Sequence, residues 1–305
     1  MKKVILHIGL PKTATTLLQQ HIFPKLHLKI DCIGIKQPRE QLQVPLYCDI
    51  WKLVCTEKNE YSQGVDLVKS YIRSRLNSNN KPFILSEECF CLDTGKVSWQ
   101  EKLNRLANIF KEYDIQILVT VRNPITAIYS YYVQVSPLIK SKYPDLVGFS
   151  NKSNLAKIYD YEYLDSVIKI SFGNTKINYI PFELLKTKRF LSEIFNLIGI
   201  DGRFDLVLPN TNSKKKSKHG VKTHYKRNIL SYFVFILRIP LISNFVRLPI
   251  INSVLKRPLA LLKNLKMPMS SVTINNPTQQ ELAQLNKRYS KSISFINSKI
   301  NFNYE

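Results

Sequence analysis

The stretch Gly9-Leu10-Pro11-Lys12-Thr13-Ala14-Thr15-Thr16 decides the fold of this chain. It follows a short apolar, β-prone run, Lys3 to Ile8, and a helical pattern begins at Thr15 and is expected to end at Pro24. When a strand, a turn and a helix follow in this order, the backbone N–H groups of the turn and the amino terminus of the helix point toward the same position. Such a turn favours bound phosphate, because the helix dipole stabilises negative charge there.

The side chains of this turn add to its affinity for anions. Lys12 supplies a mobile cation, and Thr13, Thr15 and Thr16 supply hydroxyl donors. A nucleotide-kinase P-loop would read GxxxxGK followed by Ser or Thr. Here the lysine stands four residues before Thr16 and the turn contains no Gly-Lys pair, so the pattern argues against an ordinary ATPase.

Strand-like and helix-like patterns alternate on either side of this turn. Buried strands are predicted at Pro82–Leu85, Gln116–Val121 and Lys176–Ile180. Helices are predicted over 66–77, 98–112, 161–171 and Leu184–Ile198, the last closed by Gly199. The alternation predicts an α/β fold, a P-loop NTPase-like parallel sheet flanked by helices.

A second motif, Val121-Arg122-Asn123-Pro124, places an arginine at the carboxyl end of a predicted strand. Asn123 and Pro124 are typical of a helix start, and Ser130 follows two turns into that helix. Ligands of α/β folds bind at this edge of the sheet, so Arg122 and Ser130 together form a plausible phosphate clamp. The alternative is a structural arginine that supports the cap.

A third motif, Ser86-Glu87-Glu88, follows the predicted strand Pro82–Leu85 and so reaches the same edge. A carboxylate there could accept the proton of an attacking hydroxyl, an effect typically worth ~10² to 10⁴ in rate. The alternative is two solvated acids on a surface loop. The five histidines show no metal-ligand or triad spacing, although a histidine base stays open.

The turn Pro11-Lys12-Thr13-Ala14-Thr15-Thr16 after a short strand resembles the 5'-phosphosulfate loop of sulfotransferases that use 3'-phosphoadenosine-5'-phosphosulfate (PAPS). The resemblance implies that Lys12 holds the bridging oxygen and the sulfuryl group. It also implies that Thr13, Thr15 and Thr16 bind the 5'-phosphate. The family often has glycine where this chain has Ala14, and alanine predicts a backbone there without positive φ.

The same resemblance extends to the other two motifs. It implies that Arg122 and Ser130 bind the 3'-phosphate, and that Glu87 is the catalytic base, with Glu88 or a histidine as alternatives. A weaker resemblance to bacterial sulfotransferases covers Tyr161 to Ile200, where Glu183 is expected to be structural.

The implied function is a PAPS-dependent O-sulfotransferase that acts on a hydroxyl group of a carbohydrate or glycolipid. PAPS is the co-substrate in such a reaction, and no metal is required. Two rival functions are another P-loop phosphotransferase and a basic nucleic-acid-binding protein. The first would need a Gly-Lys-Ser/Thr loop and Mg²⁺ ligands, and the second lacks a recognised motif here, so no nucleic-acid partner is expected.

Charge and composition set limits on partners and compartment. The net charge of +23 predicts anionic partners, and 44% hydrophobic residues allow a sizeable core. Cys32, Cys48, Cys55, Cys89 and Cys91 form neither a disulfide framework nor a metal-binding pattern, which favours a reducing, cytoplasmic compartment. No apolar run in the basic region approaches the ~20 residues of a membrane-spanning helix.

The chain is predicted to divide near residue 210, into a PAPS-binding domain (1–210) and a basic, mostly helical part (211–305) that packs on it. Between Leu206 and Gln280 there are thirteen Lys and Arg residues and no acid. This region either completes the core or attaches the protein to the anionic inner face of a membrane. Helical periodicity returns from Gln279 to Lys299.

Overall fold

The computed structural model describes residues 2–36, 42–200, 221–225 and 270–304. The strands in these ranges are β1 (Lys3–His7), β2 (Asp31–Gly34), β3 (Phe83–Ser86), β4 (Asp114–Val121), β5 (Lys176–Pro181), β6 (Val221–Tyr225) and β7 (Ser270–Ile274). The α-helices are α1 (Thr15–Leu17), α2 (Pro45–Cys55), α3 (Lys58–Asn77), α4 (Trp99–Phe110), α5 (Pro124–Ile139), α6 (Leu146–Lys152), α7 (Tyr161–Phe172), α8 (Lys188–Ile198) and α9 (Gln279–Lys299). Segments of 3-10 helix cover Phe23–Leu26, Glu88–Cys91, Asn154–Tyr159 and Phe182–Lys186.

Five strands form one parallel sheet in the order β2-β3-β1-β4-β5. This sheet with its flanking helices confirms the predicted α/β fold. Because all five strands run in the same direction, their carboxyl ends lie along one edge. The segments that follow β1, β3 and β4 are therefore neighbours, and each carries one of the three motifs.

An apolar cluster on one face of the sheet holds the central strands in place. Ile5, Ile84, Leu118 and Ile180 come from four adjacent strands and are at most 3% exposed. They pack against the helical segment that follows the first turn and against α8. Full burial of each such side chain contributes about 1.5–3 kcal/mol, so β1 is firmly fixed beneath the loop it carries.

Several helix ends follow the sequence signals. The side-chain oxygen of Asn123 accepts a hydrogen bond from the Ile125 N–H (3.0 Å) at the start of α5. Gly199 ends α8 in a left-handed conformation at φ 78°. Helix α9 has the predicted bounds and starts with a capping box between Thr278 and Glu281. These predictions from local chemistry are confirmed.

The helix after β1 differs from its prediction. The sequence predicts a helix from Thr15 to Phe23 that ends at Pro24, but only Thr15–Leu17 is α-helical. Leu18–Ile22 is π-helical, and a 3-10 segment then continues through Pro24 to Leu26. Proline is accommodated there because it lies in the first turn of the 3-10 segment, where its missing N–H leaves no hydrogen bond unmade.

Two elements were absent from the sequence prediction. Strand β2 is short and includes Asp31 and Gly34, which have low β-propensity. Its pairing with β3 and a bidentate contact between Asp31 and Arg75, at 2.7 and 3.0 Å, hold it at the edge of the sheet. Helix α2 begins with a proline in its first turn, and α3 begins eight residues before the predicted residue 66.

Contacts divide the chain into two compact units. The first comprises Met1–Tyr132, Tyr143–Ser213 and Pro277–Glu305, so α9 belongs to it. The second comprises Val133–Lys142 and Lys214–Asn276, and in it β6 and β7 pair as an antiparallel ribbon.

The predictions for most of the basic region, 211–269 apart from β6, lie outside the described residues. They include the boundary near residue 210, the helical character of that region and its contact with a membrane. Within the part of the chain that the structure describes, no helix is long and apolar enough to span a membrane.

Candidate active site

The loop between β1 and α1 is held by its own hydrogen bonds, by β4, and by the Tyr159 hydroxyl, which donates to the Pro11 carbonyl (3.0 Å). The Leu10 N–H donates to the Thr13 hydroxyl (3.0 Å), whose oxygen lies 2.7 Å from the hydroxyl oxygen of Thr120. The Thr120 N–H donates to the Gly9 carbonyl (2.8 Å). These contacts fix the loop at the carboxyl end of the central strands.

Two non-glycine residues of this loop have a left-handed backbone. Lys12 has φ 68° and Ala14 has φ 73°, a conformation that costs an L-residue about 1–2 kcal/mol. The expectation that Ala14 avoids positive φ is therefore wrong. Ala14 precedes α1, and its carbonyl accepts the N–H groups of Leu17 (3.0 Å) and Leu18 (3.2 Å). Strain of this kind is concentrated at functional sites.

The predicted loop ligands differ in their exposure. Pro11, Thr13 and Thr15 are buried, Lys12 and Ala14 are half-buried, and Thr16 is exposed. The Thr13 hydroxyl, which contacts Leu10 and Thr120, is engaged in holding the loop. Of the side chains in this loop, those of Lys12 and Thr16 are therefore accessible to solvent, whereas the Thr13 hydroxyl serves to hold the loop.

The two acids after β3 occupy different environments. The Glu87 carboxylate is fully buried; it accepts the Cys89 N–H (2.8 Å) through one oxygen and the Tyr47 hydroxyl through the other. Glu87 thereby caps the 3-10 segment Glu88–Cys91, called here the 88–91 turn. Glu88 is half-buried, and its carboxylate accepts a hydrogen bond from the Thr15 hydroxyl.

The 88–91 turn packs directly on the loop after β1. A Cβ atom added to Gly9, which has φ 109°, would lie 3.1 Å from both Cα and Cβ of Glu88. Glycine is therefore required at this close approach. Of the two acids, Glu88 is the one whose carboxylate contacts the loop, while the Glu87 carboxylate contacts α2 through Tyr47.

His7, the last residue of β1, is the histidine nearest to this edge along the chain. Its Nδ1 atom lies 2.7 Å from the Ser86 hydroxyl oxygen, and its ring is fully buried against Phe23. Burial lowers the pKa of His7 to about 3, so the ring is neutral at pH 7 and a weak proton acceptor. No group of three or more His, Cys, Asp or Glu side chains suited to a metal ion lies within the described ranges.

Arg122 follows the last residue of β4, as the sequence predicted. The central carbon of its guanidinium lies 4.7 Å from the ring centroid of Phe182, and none of the described carboxylates forms an ion pair with it. Ser130 is half-buried in α5, and no hydrogen bond of its hydroxyl is seen in the described part of the chain. The structure thus places both residues after β4 without a direct bond between them.

Distant residues hold the backbone around Arg122. The Tyr161 hydroxyl accepts the Arg122 N–H (3.2 Å) and donates to its carbonyl. The Tyr304 hydroxyl donates to the Glu183 carboxylate (2.8 Å) and lies 3.3 Å from the Val121 carbonyl oxygen. Burial raises the pKa of both tyrosines, so their hydroxyls keep their protons. This support is not predictable from the sequence, because no spacing rule links residues so far apart.

Comparison with known proteins gives a limited likeness in fold. No family model matches the chain, and no curated protein matches it. Solved structures that resemble it include a sulfotransferase from Alicyclobacillus acidocaldarius, with 13% identity, TM-score 0.42, and 70% of this chain and 87% of that chain covered.

A sulfotransferase domain from the curacin biosynthetic pathway has 11% identity and TM-score 0.40, with 70% of this chain and 79% of that chain covered. A structure from the PezAT toxin-antitoxin system of Streptococcus pneumoniae has 14% identity and TM-score 0.27 over 59% of this chain and 68% of that one. All three TM-scores are below 0.5, and the function of the chain is therefore inferred below from its own residues.

Proposed function

We propose that this protein is a sulfotransferase that moves a sulfuryl group from PAPS to a hydroxyl group. One observation carries the proposal: the loop after β1 is in direct contact with the acid-bearing 88–91 turn, through Gly9 and through the bond from Thr15 to Glu88. An anion-binding loop and a carboxylate at the same edge of a parallel sheet provide both halves of a group transfer to a hydroxyl.

The two cations of this edge match the two phosphate groups of PAPS. Lys12 lies in the strained loop, where it would bind the bridging oxygen and the sulfuryl group, with the Thr16 hydroxyl and the loop N–H groups on the 5'-phosphate. Arg122 lies after the neighbouring strand β4 and would bind the 3'-phosphate together with Ser130. A guanidinium with no described carboxylate partner is suited to such an anion.

The proposed reaction is an in-line displacement at sulfur. The acceptor hydroxyl oxygen forms a bond to sulfur while the bond from sulfur to the 5'-phosphate oxygen breaks. The hydroxyl proton goes to the carboxylate of Glu88 or of Glu87. The negative charge that grows on the departing phosphate is stabilised by Lys12 and the loop N–H groups.

Between the two acids, the contacts favour Glu88 as the base. The Glu87 carboxylate is buried, and both its oxygens accept hydrogen bonds that hold the turn and α2. Glu88 is partly open to solvent and its carboxylate reaches the loop. The sequence-based assignment of Glu87 stays a prediction, and amide variants of the two residues separate the alternatives.

The acceptor class rests on the resemblance to glycan sulfotransferases and is proposed as a carbohydrate or glycolipid hydroxyl. A screen of glycans and glycolipids with isotopically labelled PAPS tests it. Label that appears only in non-glycan alcohols or phenols would contradict the acceptor class and leave sulfuryl transfer itself intact.

Binding of nucleotides tests the proposed co-substrate. By calorimetry, 3',5'-ADP is expected to bind more tightly than ADP, because only the former carries the 3'-phosphate. Arg122→Ala should reduce this preference by about 10- to 100-fold, the usual worth of a charge-assisted hydrogen bond. Equal affinity of the wild-type protein for both nucleotides would contradict the proposal, and Mg²⁺-dependent binding of ATP instead would favour a phosphotransferase.

A further inference from the structure

A buried lysine on α4 lies against the 88–91 turn. The ammonium of Lys102 donates to the Cys89 carbonyl (2.6 Å) and to the Thr94 hydroxyl (2.9 Å), and it lies 5.1 Å from the ring centroid of Trp51. The residue is fully buried, and it forms no ion pair with any carboxylate of the described chain. Burial lowers the pKa of Lys102.

The other buried cation of α4, Arg105, has the acidic partner that a buried positive charge usually requires. Arg105 pairs with Glu101 at 2.9 Å and donates to the carbonyl groups of Val54 (3.2 Å) and Thr56 (2.6 Å). It therefore joins α4 to the end of α2 as a neutralised pair. Lys102 lacks such a partner, and burying a cation without a counter-ion is unfavourable for the fold. An apolar side chain would fill the same position at less energetic cost.

The contact that Lys102 makes is with the middle of the acid-bearing turn. Cys89 receives a bond on each side: its N–H donates to the Glu87 carboxylate (2.8 Å) and its carbonyl accepts from Lys102. Glu88, the residue before Cys89, packs closely on Gly9, where an added Cβ atom would lie only 3.1 Å from the Cα and Cβ atoms of Glu88. A shift of the Cys89 carbonyl would therefore displace Glu88 relative to the loop.

We propose that Lys102 is a positioning residue, which fixes the Cys89 carbonyl so that the Glu88 carboxylate is held at the loop after β1. The inference rests on the proposed function, because it takes the 88–91 turn to carry the base. The ammonium of Lys102 bonds to Cys89 and Thr94 and would act on the reaction only through the 88–91 turn.

Lys102→Met tests this role, since methionine keeps the length and apolar stem but has no donor. We expect kcat to fall about tenfold or more, the usual effect of losing a hydrogen bond to a charged group, with the KM for PAPS and the Kd for 3',5'-ADP nearly unchanged. Amide hydrogen exchange should quicken in the peptide that spans the 88–91 turn.

Arg105→Met is the matched control, because it removes the neighbouring buried cation that does not touch the turn. It should lower the melting temperature and leave the kcat of the folded enzyme and the exchange of the 88–91 turn close to wild type. Lys102→Gln, which retains a neutral donor, serves as the second variant if Lys102→Met does not fold.

The role is wrong if the folded variant, Lys102→Met or, where that does not fold, Lys102→Gln, keeps kcat within about threefold of wild type, a loss smaller than that of a hydrogen bond from a charged group. It is also wrong if kcat and 3',5'-ADP affinity fall together, as general unfolding would cause. Should the wild-type protein transfer no sulfuryl group, the proposed function fails. The exchange measurement then still decides whether Lys102 holds the turn.

Discussion

The loop after β1 and the arginine after β4 are neighbours in the sheet, but they are built in different ways. The loop is held by bonds between Leu10 and Thr13, by bonds from Thr120 of the adjacent strand, and by the Tyr159 hydroxyl, which donates to the Pro11 carbonyl (3.0 Å). The backbone around Arg122 is held by Tyr161 and Tyr304, which come 39 and about 180 residues later in the chain. The first region is strained and is held partly by its own bonds, whereas the second is held by residues that are distant in the sequence.

Because of this difference, substitutions in the two regions should have different effects on activity. Changes within the loop should alter the chemistry directly, because in the proposed reaction Lys12 and the loop N–H groups stabilise the departing phosphate. Substitutions at Tyr304 or Tyr161 should instead shift the backbone at Arg122 and so weaken its contact with the 3'-phosphate, while the loop after β1 stays unchanged. Four variants, in order of decreasing effect, test this division.

The largest effect is expected where the loop meets the 88–91 turn. Glu88→Gln keeps the shape of the side chain but cannot accept a proton, so turnover should fall about 10²- to 10⁴-fold with nucleotide binding retained. Glu87→Gln is the comparison, and it should mainly lower the melting temperature, because the buried carboxylate caps the turn. A large loss of turnover in Glu87→Gln at unchanged stability would make Glu87 the base, as the sequence alone suggested.

Lys12→Ala should be next in size. It removes the cation of the strained loop, and transfer should fall by about 10²- to 10³-fold, as for the loss of one group that stabilises charge in a transition state. Lys25→Ala, at an exposed lysine further along the same helical segment, is the control. Labelled-PAPS transfer is the measurement, and a Lys12→Ala enzyme with more than about a tenth of wild-type activity would contradict the assigned role.

Tyr304→Phe tests the long-range half of the comparison. Loss of the hydroxyl removes the bond to Glu183 beside the Arg122 backbone, which should lower stability by about 1 kcal/mol and weaken 3',5'-ADP binding severalfold. The affinity for ADP, which lacks the 3'-phosphate, should not change. Tyr163→Phe, at a partly exposed tyrosine, provides the control. If both nucleotides lose affinity equally, the arginine is not what Tyr304 supports.

The smallest effect is expected for Ala14→Gly. Glycine adopts φ 73° without the steric penalty of alanine, although it gains entropy in the unfolded chain, so the free energy of unfolding should rise by about 0.5–1 kcal/mol. Urea denaturation measures this change. A decrease in stability would show that Ala14 is not strained in the folded protein.

The sequence determined the fold class and the position of each motif along the chain. Strand β1 was predictable from an apolar run followed by a Gly-Leu-Pro-Lys turn. Strand β4 and the start of α5 were predictable from a second apolar run followed by Asn123-Pro124, because these patterns are local. Arg122 at the carboxyl end of β4 followed from the same reasoning. Strand β2 was missed, because a four-residue edge strand with Asp and Gly depends on pairing with β3 for its existence.

Only the tertiary structure decided which acid faces the loop and what supports the arginine. Glu87 and Glu88 are adjacent in sequence and both lie just beyond β3, and the different contacts of their carboxylates come from the turn, where Glu87 is the cap and Glu88 accepts a hydrogen bond from Thr15. The left-handed Ala14, the buried Lys102 and the bonds of Tyr304 depend likewise on packing between segments far apart in the chain. Local chemistry fixes where a strand or a cap begins, whereas contacts across the fold fix where a side chain points.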